Sequence, residues 1–483
     1  MFLKGLGKKL GIFSIGFLLI TGGSQLAGCK KEGESLPDTS SVLIPKVANF
    51  AAKYHLKKQD ITIVLFDGSI STDMGYASKR PDSSYRPPCT TEYNIPSFIE
   101  EKLRFSGQEY RRYDAAKDRD VKGGPAVFAE TGKAVTQQFD AAWDWQNNPP
   151  QQNGYNGLTR IVTGAKPSVT YQFPPAAKRA DFIYRTDYLS SAAIKVSVGG
   201  LINQAEVFDE TDMTWKEAEG FVFSAREKNE LIAASFYPNT YFGATSLRKT
   251  IYQKRLKMRA KGVHANLQVS ITSQDGNRLC YWGIAFSPQD YMFQFINNSR
   301  GSHGINDLAV FESWSVDYWK PDLIIFSCNT INEGADVSHP NSTYSPINFA
   351  DHFEMYINKF LAKPYKPDMF AYILFTARPN GLVNDQDVIG KTHIENYGDA
   401  TVADYLNELD KRLQKLPIAS ANAFNHYVSV GYASAKMKNT KAYAEFFGDG
   451  SGPTGPGFVG DFVHLNNYGA QVGWQYLKPF FNF

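Results

Sequence analysis

The chain has little net charge and few cysteines for its length. Its 483 residues include 51 Lys and Arg against 48 Asp and Glu, a formal net charge of +3. So small an excess gives no argument for a nucleic-acid partner. Four cysteines, far apart in sequence, do not form the pattern of a disulfide framework. The sequence shows no internal repeat, which excludes a solenoid. A hydrophobic share of 43% and a charged share of 20% indicate a globular protein.

A membrane-spanning run is also missing, although a short apolar run stands near the N-terminus. Lys4, Lys8 and Lys9 precede LGIFSIGFLLI, which is too short and too interrupted by glycine for a comfortable span. Basic residues followed by a short apolar run are typical of a secretory signal peptide. We therefore expect residues 1–28 to be a signal.

The apolar run is followed by LAGC, residues 26–29, in which Cys29 comes directly after the signal. This segment resembles the bacterial lipobox, in which the signal is cut before the cysteine and the cysteine receives lipid. The alternative is a cysteine that stands there by chance. Residues 29–58 are then the lipidated cysteine and a polar, flexible tether. Lys30 resembles the residue that follows the lipidated position in outer-membrane lipoproteins, so the expected location is the bacterial outer membrane or the cell surface.

Strand and helix patterns alternate in two parts of the chain. The apolar run ITIVLF is followed by the helical pattern NIPSFIEEKLRF and the short strand pattern QEYRRYDA. Later the strands PDLIIFSC and MFAYILFTARP alternate with the helices NFADHFEMYINKFL and TVADYLNELDKRLQKL, before the run IASANAF. This alternation predicts an α/β domain over residues 59–114 and 286–483, with a parallel sheet covered on both faces.

The residues between these two parts have a different sequence pattern. Short runs such as SVTYQF, ADFIYRTD and AIKVSVGG are rich in β-branched and aromatic residues and are separated by turn residues. Such a series predicts an inserted β-sandwich or jelly-roll domain over residues 115–285.

The C-terminal stretch GDFVHLNNYGA places Asp461 three residues before His464, just ahead of the last predicted helix. A carboxylate at this spacing can lie behind an imidazole, fix its tautomer and stabilise the imidazolium that forms when it takes a serine proton. The pair therefore has the chemistry of a general base and its orienting group.

The segment ITIVLFDGSISTD ends a predicted strand with Asp67, Ser69 and Ser71. D-x-S-x-S at a strand end is the spacing with which von Willebrand A domains hold a divalent metal. Such a site needs further oxygen ligands, because Mg²⁺ takes about six, and Thr330 and Asp336 are candidates. This alternative leaves the D-x-x-H pair without a role.

The D-x-x-H stretch closely resembles the last motif block of the SGNH (GDSL-type) hydrolases, where LN or LS and a glycine follow. On that resemblance, Ser69 in FDGSIS falls on the nucleophile position at the end of the first strand. Gly301 in NNSRGSHG falls near the second-block glycine, whose N–H donates to the oxyanion. PDLIIFSCNTINEG resembles the third block, whose Asn amide completes the oxyanion hole. Asn332 is the preferred candidate there, because NE mimics ND, and Asn329 is the next.

The chain departs from the family pattern in three places. The second block is loose, with Ser302 and His303 beside Gly301. The family's G-D-S is here Asp67-Gly68-Ser69, in which Gly68 suits a tight turn. The third block has no G-x-N-D, which is why two asparagines remain candidates. The pattern G-x-S-x-G is absent around Ser69, which argues against an ordinary α/β-hydrolase.

The resemblance implies an SGNH-like three-layer α/β/α fold and a secreted serine esterase. Ser69 would attack the ester, Asp461 and His464 would complete the triad, and the N–H groups of Ser69 and Gly301 would stabilise the oxyanion. Extracytoplasmic members of the family often deacetylate polysaccharides, so O-acetylated carbohydrate is the expected substrate. The expected partners are this substrate and the membrane, without nucleic acid, metal or other cofactor.

Three other functions remain open at this stage. The chain could be a non-catalytic glycan-binding or adhesion lipoprotein, because the second and third blocks are irregular. It could be a von Willebrand A-like metal-dependent adhesion domain. It could also be an acyltransferase that passes the same acyl group to a sugar hydroxyl.

Several other residues carry simpler interpretations. The basic run from Arg248 to Lys261 alternates like the solvated face of a strand rather than a phosphate site. His339, Asp351 and His352 lack a recognised metal-ligand spacing. Cys328, in an apolar run, is expected to be a buried, inert thiol.

Overall fold

A computed structural model describes residues 44–56, 58–66, 95–103, 111–114, 119–120, 128–138, 158–186, 190–199, 205–226, 230–233, 246–249, 252–262, 267–297, 316–328, 346–373, 402–423, 426 and 467–482. The α-helices of this part of the chain are α1 Ala48–Leu56, α2 Ile95–Leu103, α3 Pro346–Leu361, α4 Val402–Lys415 and α5 Asn467–Leu477. Single 3₁₀ turns, Ile44–Val47 and Lys478–Phe481, precede α1 and follow α5.

The strands are β1 Ile61–Phe66, β2 Arg111–Asp114, β3 Arg119–Asp120, β4 Phe128–Gln138, β5 Leu158–Gln172, β6 Arg179–Thr186, β7 Ile194–Gly199, β8 Ala205–Asp209, β9 Thr214–Glu217, β10 Val222–Phe223, β11 Glu230–Ala233, β12 Ser246–Lys249, β13 Tyr252–Ala260, β14 Gln268–Ser273, β15 Leu279–Ser287, β16 Phe293–Asn297, β17 Leu323–Cys328, β18 Asp368–Ile373 and β19 Ala419–Asn422.

Five strands form a parallel sheet in the order β16-β1-β17-β18-β19. Every residue of β1 and β17 is buried, which explains why these strands are continuous apolar runs rather than alternating ones. One hydrophobic core joins this sheet to residues of all five helices. The prediction of an α/β fold with a covered parallel sheet is therefore confirmed.

Twelve strands form a second, antiparallel sheet with its own hydrophobic core. Alternating burial along β7 and β14 indicates that one face of the sheet covers this core. The predicted sandwich of two facing sheets is not confirmed, because these strands are hydrogen-bonded into one continuous sheet and β11 and β12 form only a separate pair. Strand β2 also belongs to the antiparallel sheet, where it pairs with β15, and not to the parallel one.

A buried ionic cluster of Asp60, Arg179, Asp181, Arg255 and Lys257 joins the two sheets. Asp60 directly precedes β1, whereas the other four lie on β6 and β13. The fully buried Asp181 accepts a bond of 2.6 Å from Arg179 Nε, and Asp60 Oδ2 lies 3.3 Å from Lys257 Nζ. Burial alone would raise the pKa of Asp60, but the three cations hold it well below its usual range.

The cluster also changes the interpretation of the basic run. Within the described part of that run, Arg255 and Lys257 are only 10% and 18% exposed and lie against the parallel sheet. Most described residues of the run lie in β12 and β13, which agrees with the predicted strand, but the side chains of Arg255 and Lys257 are ion-paired and not solvated. Of the described helices, none is both long and apolar enough to cross a bilayer.

Candidate functional site

The predicted site residues all lie outside the described residues: Ser69, Gly301, Asn329, Asn332, Asp461 and His464. Cys29, Asp67, Thr330, Asp336 and His339 lie outside them too. The structure does describe the strands and the helix next to which these residues stand in the sequence. Those elements decide which edge of the sheet the segments leave from.

Three of the candidate segments leave the parallel sheet at neighbouring strands. Strand β1 ends at Phe66, three residues before Ser69, and β17 ends at Cys328, one residue before Asn329. Strand β16 ends at Asn297, four residues before Gly301. Because β16, β1 and β17 are parallel neighbours, their carboxyl ends meet at one edge of the sheet.

This edge is also where the strand order reverses. After β1 the chain adds β16 on one side and β17 on the other. In open α/β sheets, ligands bind outside the carboxyl ends of the strands at such a switch point. The position of the candidate segments is therefore the one that the topology favours for a binding site.

The last helix brings the fourth segment into the same domain. Helix α5 begins at Asn467, three residues after His464. Its Trp474 stacks on Phe98 of α2 with ring centroids 5.7 Å apart and planes 17° apart. Helix α2 is the first described element after β1, so the helices that follow the Ser69 and His464 segments pack together.

His426 is a histidine that no sequence motif singled out. It stands four residues after β19 ends, and its ring stacks on Tyr476 of α5 at 5.4 Å. Burial lowers the pKa of His426, although a hydrogen bond with the backbone of Val472 opposes this effect. Its only signal in the sequence is its place shortly after a parallel strand.

The end of β17 carries two small polar side chains. Cys328 is fully buried, as predicted, and forms no disulfide with the other described cysteine. The neighbouring Ser327 is 3% exposed, and its Oγ has no hydrogen-bond partner among the described residues. Both side chains pack into the sheet just before the chain reaches the Asn329 segment.

The described residues offer no group of three or more His, Cys, Asp or Glu side chains suited to a metal. Asp351, once a metal candidate, is ion-paired with Arg412 at 2.9 Å. The side chain of His352 is outside the described part. The residues of the von Willebrand A alternative are not described either, so the expectation of a metal-free site stays a prediction.

No protein-family model and no curated protein sequence matches the chain. Among solved structures, it is similar to a peptidoglycan O-acetylesterase, with 11% identity, a TM-score of 0.46, and coverage of 91% of this chain and 95% of that one. It is also similar to a putative GDSL-like lipase from Parabacteroides merdae, with 11% identity, a TM-score of 0.28, and coverage of 39% and 74%.

A third similar structure is a catalytic mutant of an acetylxylan esterase from Geobacillus stearothermophilus. It is 11% identical, with a TM-score of 0.28, and the match covers 40% of this chain and 73% of that one. These neighbours are esterases and a GDSL-like lipase, the class of enzyme that the sequence motifs resemble. All three TM-scores are below 0.5, so the functional argument rests on the chain's own residues.

Proposed function

We propose that the chain is an SGNH-type carboxylic ester hydrolase that removes O-acetyl groups from carbohydrate. The observation that carries the proposal is the parallel order β16-β1-β17. The segments of Gly301, Ser69 and the third-block asparagines follow these strands in the sequence, and the carboxyl ends of the strands share one edge of the sheet, which supports the proposal. A nucleophile and oxyanion donors must lie within about 3 Å of one reacting carbonyl, and one sheet edge can meet that demand.

The strand register sharpens the choice of asparagine. Leu65 is level with Asn297, and Phe66 is level with Phe326. Counted along the sequence, Ser69 stands three residues after Phe66 and Asn329 three residues after Phe326, whereas Asn332 stands six residues after it. The register therefore favours Asn329, whereas the family motif favoured Asn332. We propose Asn329 as the side-chain donor of the oxyanion hole.

The proposed reaction proceeds through an acetyl-enzyme. Ser69 Oγ bonds to the acetyl carbonyl carbon while its proton passes to His464, and Asp461 stabilises the imidazolium. The tetrahedral oxyanion accepts hydrogen bonds from the N–H groups of Ser69 and Gly301 and from the Asn329 amide. Its collapse expels the sugar oxygen, which takes the proton from His464. Water then attacks acetyl-Ser69 with the same proton relay, which releases acetic acid and restores the serine.

O-acetylated glycan is proposed as the substrate because of the resemblance of the sequence motifs and the expected location of the chain. The signal and lipobox pattern directs the chain outside the cytoplasm, where such polymers are found. The names of the similar structures specify acetylated peptidoglycan and xylan as the substrates to test first. The antiparallel sheet, proposed as an insertion over residues 115–285, supplies a large second surface next to the esterase domain.

The decisive experiment compares two serines that stand two residues apart in the sequence. We expect the purified chain to release acetate from p-nitrophenyl acetate, O-acetylated peptidoglycan and acetylated xylan. Ser69→Ala should lower kcat by at least about 10³-fold, because it removes the nucleophile. Ser71→Ala should leave kcat within about two-fold, because the triad has no use for that hydroxyl.

Two other results would replace this proposal. Wild-type rates in Ser69→Ala would exclude Ser69 as the nucleophile. Absence of esterase activity together with Mg²⁺ binding that Asp67→Ala and Ser71→Ala abolish would establish the von Willebrand A alternative. Glycan binding without any ester cleavage would establish a non-catalytic lipoprotein. Transfer of the acetyl group to an added sugar, in preference to water, would make the chain an acyltransferase.

Lipidation of Cys29 and an outer-membrane location form part of the same proposal. The described chain begins at Ile44 and leads into α1, whose Lys53 and Phe50 contact Asp322 and Asp368. These aspartates stand at the amino ends of β17 and β18, about 20 Å of strand away from the candidate edge. An anchored chain would thus enter the fold opposite its site.

Lipidation is tested in a Gram-negative host. Wild-type protein should incorporate labelled fatty acid and sediment with the outer membrane, and Cys29→Ser should lose both properties. Cys89→Ser serves as the control and should keep them. Equal labelling of the Cys29→Ser and wild-type chains would exclude the anchor.

A further inference from the structure

We propose that His426 is a positioning residue for the esterase site, holding α5 and, with it, the D-x-x-H segment that ends three residues before the helix. The inference rests on the proposed function, because it concerns how Asp461 and His464 are kept in place. His426 itself, Val472 and Tyr476 all belong to the described part of the chain.

Helix α5 is held by aromatic stacks on two different sides. Trp474 stacks on Phe98 of α2, and Tyr476 stacks on His426. Trp474 and Tyr476 are two residues apart, and side chains at this spacing on a helix point about 200° apart, so the two stacks contact nearly opposite faces of α5. Loss of either stack would free the helix to tilt toward the other.

His426 contacts α5 at two residues, Tyr476 and Val472, which are about one helical turn apart. The ring stacks on Tyr476, with planes 29° apart, and the imidazole is hydrogen-bonded to the backbone of Val472. These two residues are four apart and therefore lie on the same face of the helix. Stack and hydrogen bond together fix both the distance and the rotation of α5.

The hydrogen-bond pattern identifies the form of the ring that makes this contact. Nε2 of His426 is buried and has no hydrogen-bond partner among the described residues. The bond with the Val472 backbone is therefore assigned to Nδ1, and burial of the ring favours its neutral form. A proton added at Nε2 would have no acceptor, and burial lowers the pKa of His426 accordingly.

The surroundings of His426 contribute few charges. Tyr476 and Val472 face it from α5, and the pKa of Tyr476 is raised, first by burial and then by the charge of Asp410 on α4. The carboxylate of Asp410 accepts a hydrogen bond from Gln414, and among the described groups only burial and the bond with Val472 shift the pKa of His426. Acid is therefore expected to weaken the contact with α5.

Position is what connects His426 to catalysis. His464 must lie within hydrogen-bond reach of the serine proton, and a displacement of about 1 Å in such a group costs about 10²-fold in rate. Helix α5 begins three residues after His464, so a shift of the helix is transmitted along a very short chain. Substrate binding involves other elements and should change little.

Two substitutions of His426 separate the effect of the ring stack from the effect of the hydrogen bond. His426→Asn keeps an N–H donor near the position of Nδ1 and loses the stack. His426→Phe keeps the stack and loses both the donor and the titration. The exposed His55 of α1 provides the control His55→Asn. Each protein is assayed with p-nitrophenyl acetate between about pH 5 and about pH 8, and its folding is checked by thermal unfolding.

We expect both His426 variants to lose about 10-fold to 100-fold in kcat, with KM within about two-fold of wild type. The kcat of His426→Phe should also fall less steeply than that of wild type on the acid side. If one variant does not fold, Tyr476→Leu removes the same stack from α5 and should give the same kcat loss, not additive with the remaining His426 variant.

Failure of this inference is distinguishable from failure of the proposed function. Folded His426 variants with wild-type kcat and an unchanged pH profile, in a protein whose activity still needs Ser69, would overturn the positioning role alone. Activity that survives Ser69→Ala would overturn the proposed function itself. A kcat loss matched by His55→Asn would also overturn the role of His426.

Discussion

The carboxylate of Asp322 joins two neighbouring strands at their amino ends. It stands directly before β17, and its Oδ2 accepts a hydrogen bond of 2.8 Å from the backbone N–H of Thr62 in β1. Its Oδ1 is ion-paired with Lys53 of α1. One side chain therefore fixes the relative position of the two strands that lead to the Ser69 and Asn329 segments, and attaches the first helix to them.

Replacement of Asp322 should therefore destabilise the α/β domain. Asp322→Ala removes a charge-assisted hydrogen bond and leaves Lys53 unpaired, so we expect a loss of about 2 to 3 kcal/mol in the free energy of unfolding, measured in urea. Asp317→Ala is the matched control, because Asp317 is 52% exposed and pairs with Lys363 at the surface. The control should change stability by less than about 1 kcal/mol. Equal effects of the two changes would contradict this role.

Asp368 should have the opposite pH behaviour to an ordinary paired carboxylate. Burial, with a contribution from Asp322, raises the pKa of Asp368 above its ordinary value of 3.8, although hydrogen bonds from Phe50 and Asn49 oppose the rise. The folded state then binds the proton more tightly than the unfolded state does. The contribution of Asp368 is complete below pH 3.8 and is lost as the pH rises through the raised pKa.

Asp368→Asn tests whether the contribution of Asp368 to stability falls as the pH rises. The substitution keeps an oxygen that can accept from Phe50 N–H, 2.7 Å from the carboxylate, and removes the charge. We expect a Tm at pH 7 equal to or above that of wild type, and a smaller loss of stability than in wild type between about pH 4 and about pH 7. A Tm at pH 7 as low as that of Asp368→Ala would show that the charge itself stabilises the fold.

The buried ionic cluster should be the most sensitive electrostatic feature of the described fold. Asp181 is fully buried, accepts from Arg179, and takes a further bond of 2.9 Å from Gln294 Nε2 of β16. Asp181→Asn would leave buried cations without their compensating charge, at a cost of about 3 to 5 kcal/mol. Glu206→Gln, which breaks the half-exposed pair with Arg259, should cost about 1 kcal/mol or less. Denaturant unfolding of both variants measures these losses in the free energy of unfolding. Similar losses in the two variants would contradict the greater sensitivity of the buried cluster.

The elements of the α/β part could largely be predicted from the sequence. Strands β1, β17 and β18 are apolar runs because they are buried on both faces, and α3 and α4 show the periodicity of helices with one buried face. The last helix α5 was also predicted, directly after the D-x-x-H pair, whose catalytic role stays a prediction. Local patterns suffice for these features because each is encoded within a short segment.

The relations between distant segments could not be predicted in the same way. Lys257 finds its partner Asp60 197 residues away, and nothing in the alternating basic run distinguishes a paired face from a solvated one. The pairing of β2 with β15 likewise depends on a strand far along the chain. Two further relations between distant segments could not be predicted either. One is the position of β16 next to β1, which favours one sheet edge for the site, and the other is the contact of His426 with α5.

The register of the parallel sheet gives the last prediction, on the oxyanion hole. Phe66 is level with Phe326, and Ser69 and Asn329 each stand three residues further along the sequence. An amide aimed at the oxyanion contributes about 10²-fold to 10³-fold in kcat, so Asn329→Ala should lose that factor with little change in KM. Asn332→Ala, three residues further on, should stay within about three-fold of wild type by the same reasoning. Steady-state kinetics with p-nitrophenyl acetate compare the two variants, and Asn329→Asp, which has no amide donor, should resemble Asn329→Ala. A large loss in Asn332→Ala with normal kcat in Asn329→Ala would show that the family motif, rather than the strand register, identifies the donor.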